Sequence, residues 1–350
     1  MNLIVAFFIL SFLVFFHELG HCIVARICGV RVEVFSVGFG KKIASMQIGQ
    51  TQYALSLIPL GGYVKLKGQD DSNPKVRNYE ADSYMSKSPL QRIAILLAGP
   101  LFNLILAFIL YVAVGMGGKL SLLPVVGEVR EGYPAYQAGI KAGDRILSMN
   151  HKEIKTWEEL DSIILRSQGE LEMTIQRGEE TLSLKLTPIE QEAQNIFKES
   201  IMRKIIGISS GGVMGEVRYK GLDSLIYGLD ESIKASTLIV QGIVKLISGV
   251  VPSSELGGVV SIVSVIGSAS QEGWVILFWL TALISVNLGI LNLLPIPALD
   301  GGHIMFNCYE LIMKKPPSEN IAYYLTLCGW GILLALMLLG LYNDIFRLLS

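Results

Sequence analysis

Charge is scarce in this chain of 350 residues. Asp, Glu, Lys and Arg together make up 17% of it, against roughly 25% in an average soluble domain. Hydrophobic residues make up 51%. That balance excludes a disordered chain and an ordinary cytosolic enzyme. An excess of one sign is also missing: 29 Lys and Arg stand against 30 Asp and Glu, a net charge of −1. Without a broad basic field, nucleic acid is not expected as a partner. Cysteine is sparse too. Cys22, Cys28, Cys308 and Cys328 form no CxxC pair and lie in or beside apolar segments. This excludes a small disulfide framework and reads as reduced thiols in packed helices.

What the chain has instead is long apolar runs. Residues 1–16 carry no charge, and the run continues to Arg26. A signal peptide would open with Lys or Arg and close on a small-residue cleavage site. A retained helix over roughly 3–27 is therefore expected, since about 20 apolar residues span a bilayer core. Further spans are expected over 92–115, interrupted by Gly99-Pro100 and Asn103, over 274–294, and over 321–342. Trp274, Tyr323, Tyr324 and Tyr342 near their ends suit an interfacial belt.

The basic residues sit unevenly. The connection after the first span carries Arg26, Arg31, Lys41, Lys42, Lys65, Lys67, Lys75, Arg77, Lys87 and Arg92, and the third-to-fourth connection carries Lys314 and Lys315. The positive-inside rule then places 28–91 and 296–320 in the cytoplasm, with both termini and 116–273 on the other side.

Within 116–273, residues 124–190 read as a small soluble domain. Val125–Val129 and Leu171–Ile175 alternate like strands, with turn residues such as Arg177-Gly178-Glu179 between such segments. A helix is expected over 156–167, because Thr156 followed by Glu159 fits a capping box. Residues 222–250 look amphipathic, with Asp223, Asp230, Glu231, Lys234 and Lys245 interrupting the apolar positions. An interfacial helix or pair of helices is expected there, with a fifth span over 235–251 as the alternative.

The sharpest signal lies inside the first span. His17-Glu18-Leu19-Gly20-His21 is an HExxH motif. On a helix, positions four apart lie about 40° apart in azimuth, so both imidazoles share one face and can share one Zn²⁺. Glu18, beside the first ligand, is placed to act as general base on the attacking water. A Glu and two His in an otherwise charge-free span cost several kcal/mol unless they serve a function. Zinc hydrolases need a third protein ligand and an open fourth position. His151 lies in the soluble stretch. Asp300, at the end of the third span, reaches a depth compatible with HExxH, and its alternative reading is a turn aspartate before Gly301-Gly302. His303 is a rival ligand.

These residues together resemble the site-2 protease family of intramembrane zinc metalloproteases, and most closely its bacterial RseP type. The resemblance rests on HELGH in a first span and Asn292-Leu293-Leu294-Pro295-Ile296-Pro297-Ala298-Leu299-Asp300-Gly301-Gly302 in a later one. Phe35–Gly40 with Ser56–Lys65 resembles the family's membrane-associated β-rich loop, and Ala98-Gly99-Pro100 with Asn103 its second span. Gly132–Ala135 with Ala138–Leu147 resembles a circularly permuted PDZ domain. The interval 124–215 has room for one such domain, where many RseP-type members carry two.

The resemblance implies an α-helical polytopic membrane protein of about four transmembrane helices, with a membrane-associated β-rich loop and one extracytoplasmic α+β PDZ domain. The chain then divides into helix 1 with HExxH (1–28), the β-rich loop (29–91), helix 2 (92–115) and the PDZ domain with flanks (116–215). Amphipathic helices and loop (216–273), helix 3 with the NxxPxPxLDG motif (274–300), a cytoplasmic loop (301–320) and helix 4 (321–346) follow. It implies His17, His21 and Asp300 as Zn²⁺ ligands and Glu18 as catalytic base. Asn287 and Asn292 correspond to asparagines that hold substrate backbone, and Gly38 and Gly40 to the loop whose strand edge accepts the substrate. The expected activity is regulated intramembrane proteolysis in the bacterial cytoplasmic (inner) membrane. Its substrates would be single-span proteins already cut on the extracytoplasmic side, such as anti-sigma factors or remnant signal peptides. Two rivals carry different expectations. A non-catalytic PDZ scaffold with a structural metal site would need a fourth protein ligand, and a metal transporter would show an inverted repeat; neither feature is evident in the sequence.

Overall fold

A computed structural model of the protein describes residues 2–69, 79–197 and 199–349. Lys75 and Arg77, counted above among the basic residues of the first connection, lie outside the described residues. The chain forms two compact units, one of residues 1–114 and 222–350 and one of 115–221. In chain order come helix α1 (Asn2–Ile27), strands β1 (Val32–Ile48) and β2 (Thr51–Leu66), and helix α2 (Pro89–Gly117). The second unit holds β3 (Lys119–Leu122), β4 (Val126–Val129), α3 (Pro134–Gln137), β5 (Arg145–Met149), β6 (Lys152–Glu153), α4 (Trp157–Arg166), β7 (Leu171–Arg177), β8 (Glu180–Leu186), β9 (Ile189–Gln194), β10 (Ser200–Ile205), β11 (Ile208–Ser210) and β12 (Met214–Val217). The first unit resumes with α5 (Leu222–Ile247), α6 (Val259–Glu272), α7 (Trp274–Asn292), α8 (Asp300–Met313) and α9 (Glu319–Leu349).

Among the described residues, four helices are long and apolar enough to cross a membrane: Leu3–Ile27, Pro89–Gly117, Trp274–Asn292 and Glu319–Leu349. At about 1.5 Å rise per residue, even the shortest approaches the roughly 30 Å hydrocarbon core. Close packing of α1 on α2 depends on Gly20, where an added Cβ would stand 2.4 Å from the Ala98 carbonyl oxygen. Pro100 sits inside α2 without ending it; it lies on the buried side of the helix, where neighbouring helices make such an interruption tolerable.

The sequence left open whether 222–250 holds one helix or two. It is one 26-residue helix, α5. Its charges pair along its own surface, Lys234 Nζ lying 2.6 Å from Asp230 and 3.2 Å from Glu231. Ser224, Gly228 and Ala235 lie inward. At Gly228 a Cβ would meet Val112 Cγ2 at 2.4 Å, and Ala235 shares a core cluster with Ala107, Tyr111, Ala282 and Val286. The segment 216–273 also contains α6, whose 14 residues are too short to span; Ile266 packs with Ala6, Ile9, Leu13 and Leu106.

Strands β1 and β2 fold back on each other more than once. Residues 34–37 pair antiparallel with 62–65 and also lie beside 52–55, while 44–48 pair with 51–55. The chain bends at Gly38 and Gly40, with φ of 90° and 84°, a region that glycine enters without cost. Exposed Phe39, Ile43, Met46, Ile48, Leu55 and Leu57 leave this sheet with an apolar surface.

The second unit is α+β. Its four-stranded sheet runs β6-β5-β7-β8, all antiparallel. Period-two alternation in β7 sends Leu171, Met173 and Ile175 inward, against Ile146, Met149, Leu160 and Ile164. Thr156 caps α4 by accepting the Glu159 N–H at 3.2 Å. The Glu159 carboxylate takes the Lys155 N–H at 2.8 Å, one residue before the position a capping box uses. Buried Asp144 receives both arms of Arg177, at 2.8 and 2.7 Å, and the Lys141 N–H at 2.8 Å. Burial alone would raise the Asp144 carboxyl, but Arg177 and the Lys141 amide outweigh it and hold it below the ordinary range. Such a carboxyl stabilises the fold above its unfolded pKa of about 3.9, and the contribution is lost as pH falls through the lower folded value. Protection factors for the amides across 141–177 in the full-length protein, the exchange rate corrected for its intrinsic pH dependence, therefore fall below about pH 4, and Asp144→Asn abolishes that acid step.

Candidate metal centre

The helical spacing of HExxH brings the two rings together. His17 and His21 stack edge-on with centroids 4.8 Å apart, and their Nε2 atoms approach to 3.2 Å. Asp300 arrives from far along the chain. Its Oδ2 lies 3.1 Å from His17 Nε2 and 3.5 Å from His21 Nε2. One ligand atom from each of the three lies within 4.8 Å of the others.

The turn that delivers Asp300 is built by its neighbours. Helix α7 ends at Asn292, and Pro295 and Pro297 deny N–H groups to any helical continuation. Asp300 then opens α8, where a carboxylate is favoured by the helix dipole. Residues 301–320, expected to be a loop, thus contain a helix over most of their length, and the third span stops before the 274–300 boundary expected for it. The cause is Gly301-Gly302. Glycine is a poor helix former and reads as a turn, yet here it serves close approach. A Cβ at Gly301 would stand 2.3 Å from the Leu294 carbonyl oxygen, and one at Gly302 2.3 Å from that of Ile296.

The donor set fits a cation. Ile95 O accepts from His21 Nδ1 at 2.8 Å; a carbonyl has no proton to offer, so Nδ1 carries the hydrogen and a neutral ring presents a lone pair at Nε2. Asp300 Oδ2 is buried and accepts no hydrogen bond of sound geometry from a described residue, despite the nearby ring nitrogens. Lone pairs facing one another at this range repel unless a positive ion lies between them. Tetrahedral zinc ligands at about 2.0–2.1 Å stand about 3.3 Å apart, close to the Nε2 separation of 3.2 Å. The site is set deep, with His17 7% and His21 9% exposed.

Helix α2 forms one wall. Ile95, Gly99 and Asn103 are each one turn apart and face α1. An added Cβ at Gly99 would lie 2.2 Å from His21 Nε2 and 2.8 Å from His17 Cε1. The Asn103 amide lies 3.1 Å from His17 Nδ1. The sequence marks Gly99-Pro100 and Asn103 as interruptions of an apolar span and as a resemblance to the family's second span, without assigning them a part in the metal site. Their spacing, four apart like the histidines, was the available signal.

Glu18 turns toward β2. A Cβ at Gly62 would be 3.5 Å from Glu18 Cγ, and the Val64 amide faces its carboxylate. The β sheet that contains Gly38 and Gly40 therefore borders the residue read as the base. Ser36 Oγ donates to Gly38 O at 3.1 Å. Asn287 is half-buried on α7, and Asn292 donates to Leu288 O at 2.9 Å at the end of that helix. The rival ligands fall elsewhere. His151 belongs to the second unit, with its side chain 86% exposed beside Glu172. His303 packs against Phe306 and is not in the converging group.

Comparison with known proteins identifies the family. The model for peptidase family M50 matches residues 5–336. The chain is 46% identical over 342 residues to a Campylobacter jejuni protein named "Putative zinc metalloprotease Cj1068", covering 98% of this chain and 92% of that one. A Helicobacter pylori protein of the same description is 44% identical over 350 residues, covering 99% of each. "Zinc metalloprotease RasP" of Oceanobacillus iheyensis is 30% identical over 430 residues, covering 99% of this chain and 100% of that one. The chain belongs to peptidase family M50, the site-2 protease family. It is an integral membrane zinc metalloprotease whose cofactor is Zn²⁺.

Proposed function

We propose that this protein carries out intramembrane proteolysis, with His17, His21 and Asp300 holding zinc and Glu18 as the catalytic base. The observation that carries the reading is the convergence of these three ligand atoms within 4.8 Å, with His17 and His21 on a helix long and apolar enough to cross a membrane. When bound, zinc supplies Lewis acidity, acidifying water and polarising the scissile carbonyl. Glu18 takes the proton of the attacking water and returns it to the leaving nitrogen. The α2 wall keeps both imidazoles oriented.

A transmembrane helix hides its peptide bonds in its own hydrogen-bond ladder, so a substrate must be unwound and held extended before attack. Strand addition to the β1–β2 sheet, near Gly38 and Gly40, supplies such an edge. Asn287, whose amide bonds no described residue, and Asn292 hold the substrate backbone from the α7 side. The α+β unit of 115–221 serves as an extracytoplasmic PDZ domain that excludes untrimmed substrates by bulk. The enzyme sits in the bacterial cytoplasmic membrane with both termini outside the cytoplasm, and its substrates are single-span proteins trimmed on that outer side.

The test is cleavage of a single-span substrate by the reconstituted full-length enzyme. A trimmed substrate is cut within its apolar segment, and the same substrate carrying a folded outer domain is spared. Cleavage outside the membrane segment contradicts the reading. In a cysteine-free background, single cysteines at positions 130–180 label from the extracytoplasmic side; labelling from the cytoplasm overturns the orientation.

A further inference from the structure

We infer that Asn103 is a positioning residue for the metal centre, holding the His17 ring by accepting its Nδ1 proton through the side-chain oxygen. The inference rests on the zinc-site reading above and adds a residue to it.

Asn103 is fully buried. Its amide nitrogen lies 3.1 Å from His17 Nδ1, while its Oδ1 has no hydrogen-bond partner among the described residues. His17 Nε2 is the atom that faces Asp300 and His21. A neutral imidazole presenting its lone pair at Nε2 carries its hydrogen at Nδ1. With the amide nitrogen on that side, two donors would oppose each other. Turning the amide by half a rotation exchanges oxygen and nitrogen without changing its shape. The oxygen then accepts from Nδ1–H, and the amide nitrogen takes the place where no described residue bonds it.

The position of Asn103 is fixed from two sides. Its place on α2 sets it one turn beyond Gly99, where the rings meet. Ser285 of α7 donates to its backbone carbonyl at 2.8 Å. The two ligands are thus oriented by the same helix through different groups: a backbone carbonyl at Ile95 for His21, a side-chain amide at Asn103 for His17. Outer partners of this kind fix ring orientation and tautomer, and losing one typically costs 10–100-fold in metal affinity.

The test compares Asn103→Leu and Asn103→Ala, which remove the acceptor, with Asn103→Asp, which keeps an oxygen in its place. Zinc affinity is read by chelator competition on the full-length protein, and ligand geometry by visible absorption of the Co²⁺-substituted protein. Asn103→Leu weakens zinc roughly 10–100-fold and shifts the Co²⁺ bands, with Asn103→Ala giving the same deletion if the leucine variant does not fold. Asn103→Asp stays within a few-fold of wild type and keeps the wild-type bands. Unchanged affinity in both deletions, or a loss in Asn103→Asp as large as in Asn103→Leu, overturns the inference while leaving the zinc site standing. Wild-type protein that binds no zinc overturns the zinc site and this inference together.

Discussion

Glu18→Gln keeps its zinc and loses its proteolytic activity. The substitution conserves shape but removes the group that exchanges protons with water and the leaving nitrogen. General acid–base catalysis contributes about 10²–10⁴-fold, so kcat on a transmembrane substrate falls by at least that factor. Zinc content stays at the wild-type level, because Glu18 is not in the group of His17, His21 and Asp300 proposed to hold the metal. The neighbours of Glu18, the Gly62 backbone and the Val64 amide, accommodate an amide of equal size. Metal analysis beside a cleavage assay checks both halves. Retained cleavage removes Glu18 from the reaction, and lost zinc makes it structural.

Gly99→Ala is the second large effect, and its direction is opposite: zinc is lost first. The added methyl would stand 2.2 Å from His21 Nε2 and 2.6 Å from its Cε1, well inside van der Waals contact. Helix α2 cannot retreat without breaking the Ile95 and Asn103 contacts to the same rings. The imidazole must therefore move off the ligand position. Zinc affinity falls by more than the roughly 10–100-fold typical of losing an outer partner, and activity falls with it. Gly242→Ala is the control. That glycine lies in α5 with nothing within 4 Å of an added Cβ, and the substitution leaves zinc and cleavage unchanged. Equal zinc affinity in Gly99→Ala and wild type would show that α2 does not form the wall described.

The centre was legible in sequence where chemistry and period coincide. HExxH on an apolar helix announces its own geometry, since residues four apart share a face. The four long apolar helices were equally plain from run length. Legibility ended where packing, not periodicity, decides. Gly301-Gly302 reads as a turn by propensity, but backbone carbonyls of 293–297 exclude any Cβ there, and α8 starts instead. The apolar face of α6 is rich in β-branched Val and Ile and too short to span, so only its packing on α1 identifies it as part of the bundle. Gly99 and Asn103 carried a resemblance to the family's second span and interrupted an apolar run, but no role at the metal. Their meaning appears only when α1 lies against α2, because nothing local in α2 says which residues will face the histidines.

Zinc K-edge X-ray absorption on purified wild-type protein and on Asp300→Ala tests the shared metal centre most directly. The wild-type spectrum shows two imidazoles together with carboxylate and water oxygen at about 2.0–2.2 Å and no sulfur scatterer, and Asp300→Ala loses the carboxylate contribution together with most of its zinc. Sulfur at about 2.3 Å, or an unaltered spectrum at full zinc occupancy in Asp300→Ala, contradicts the account.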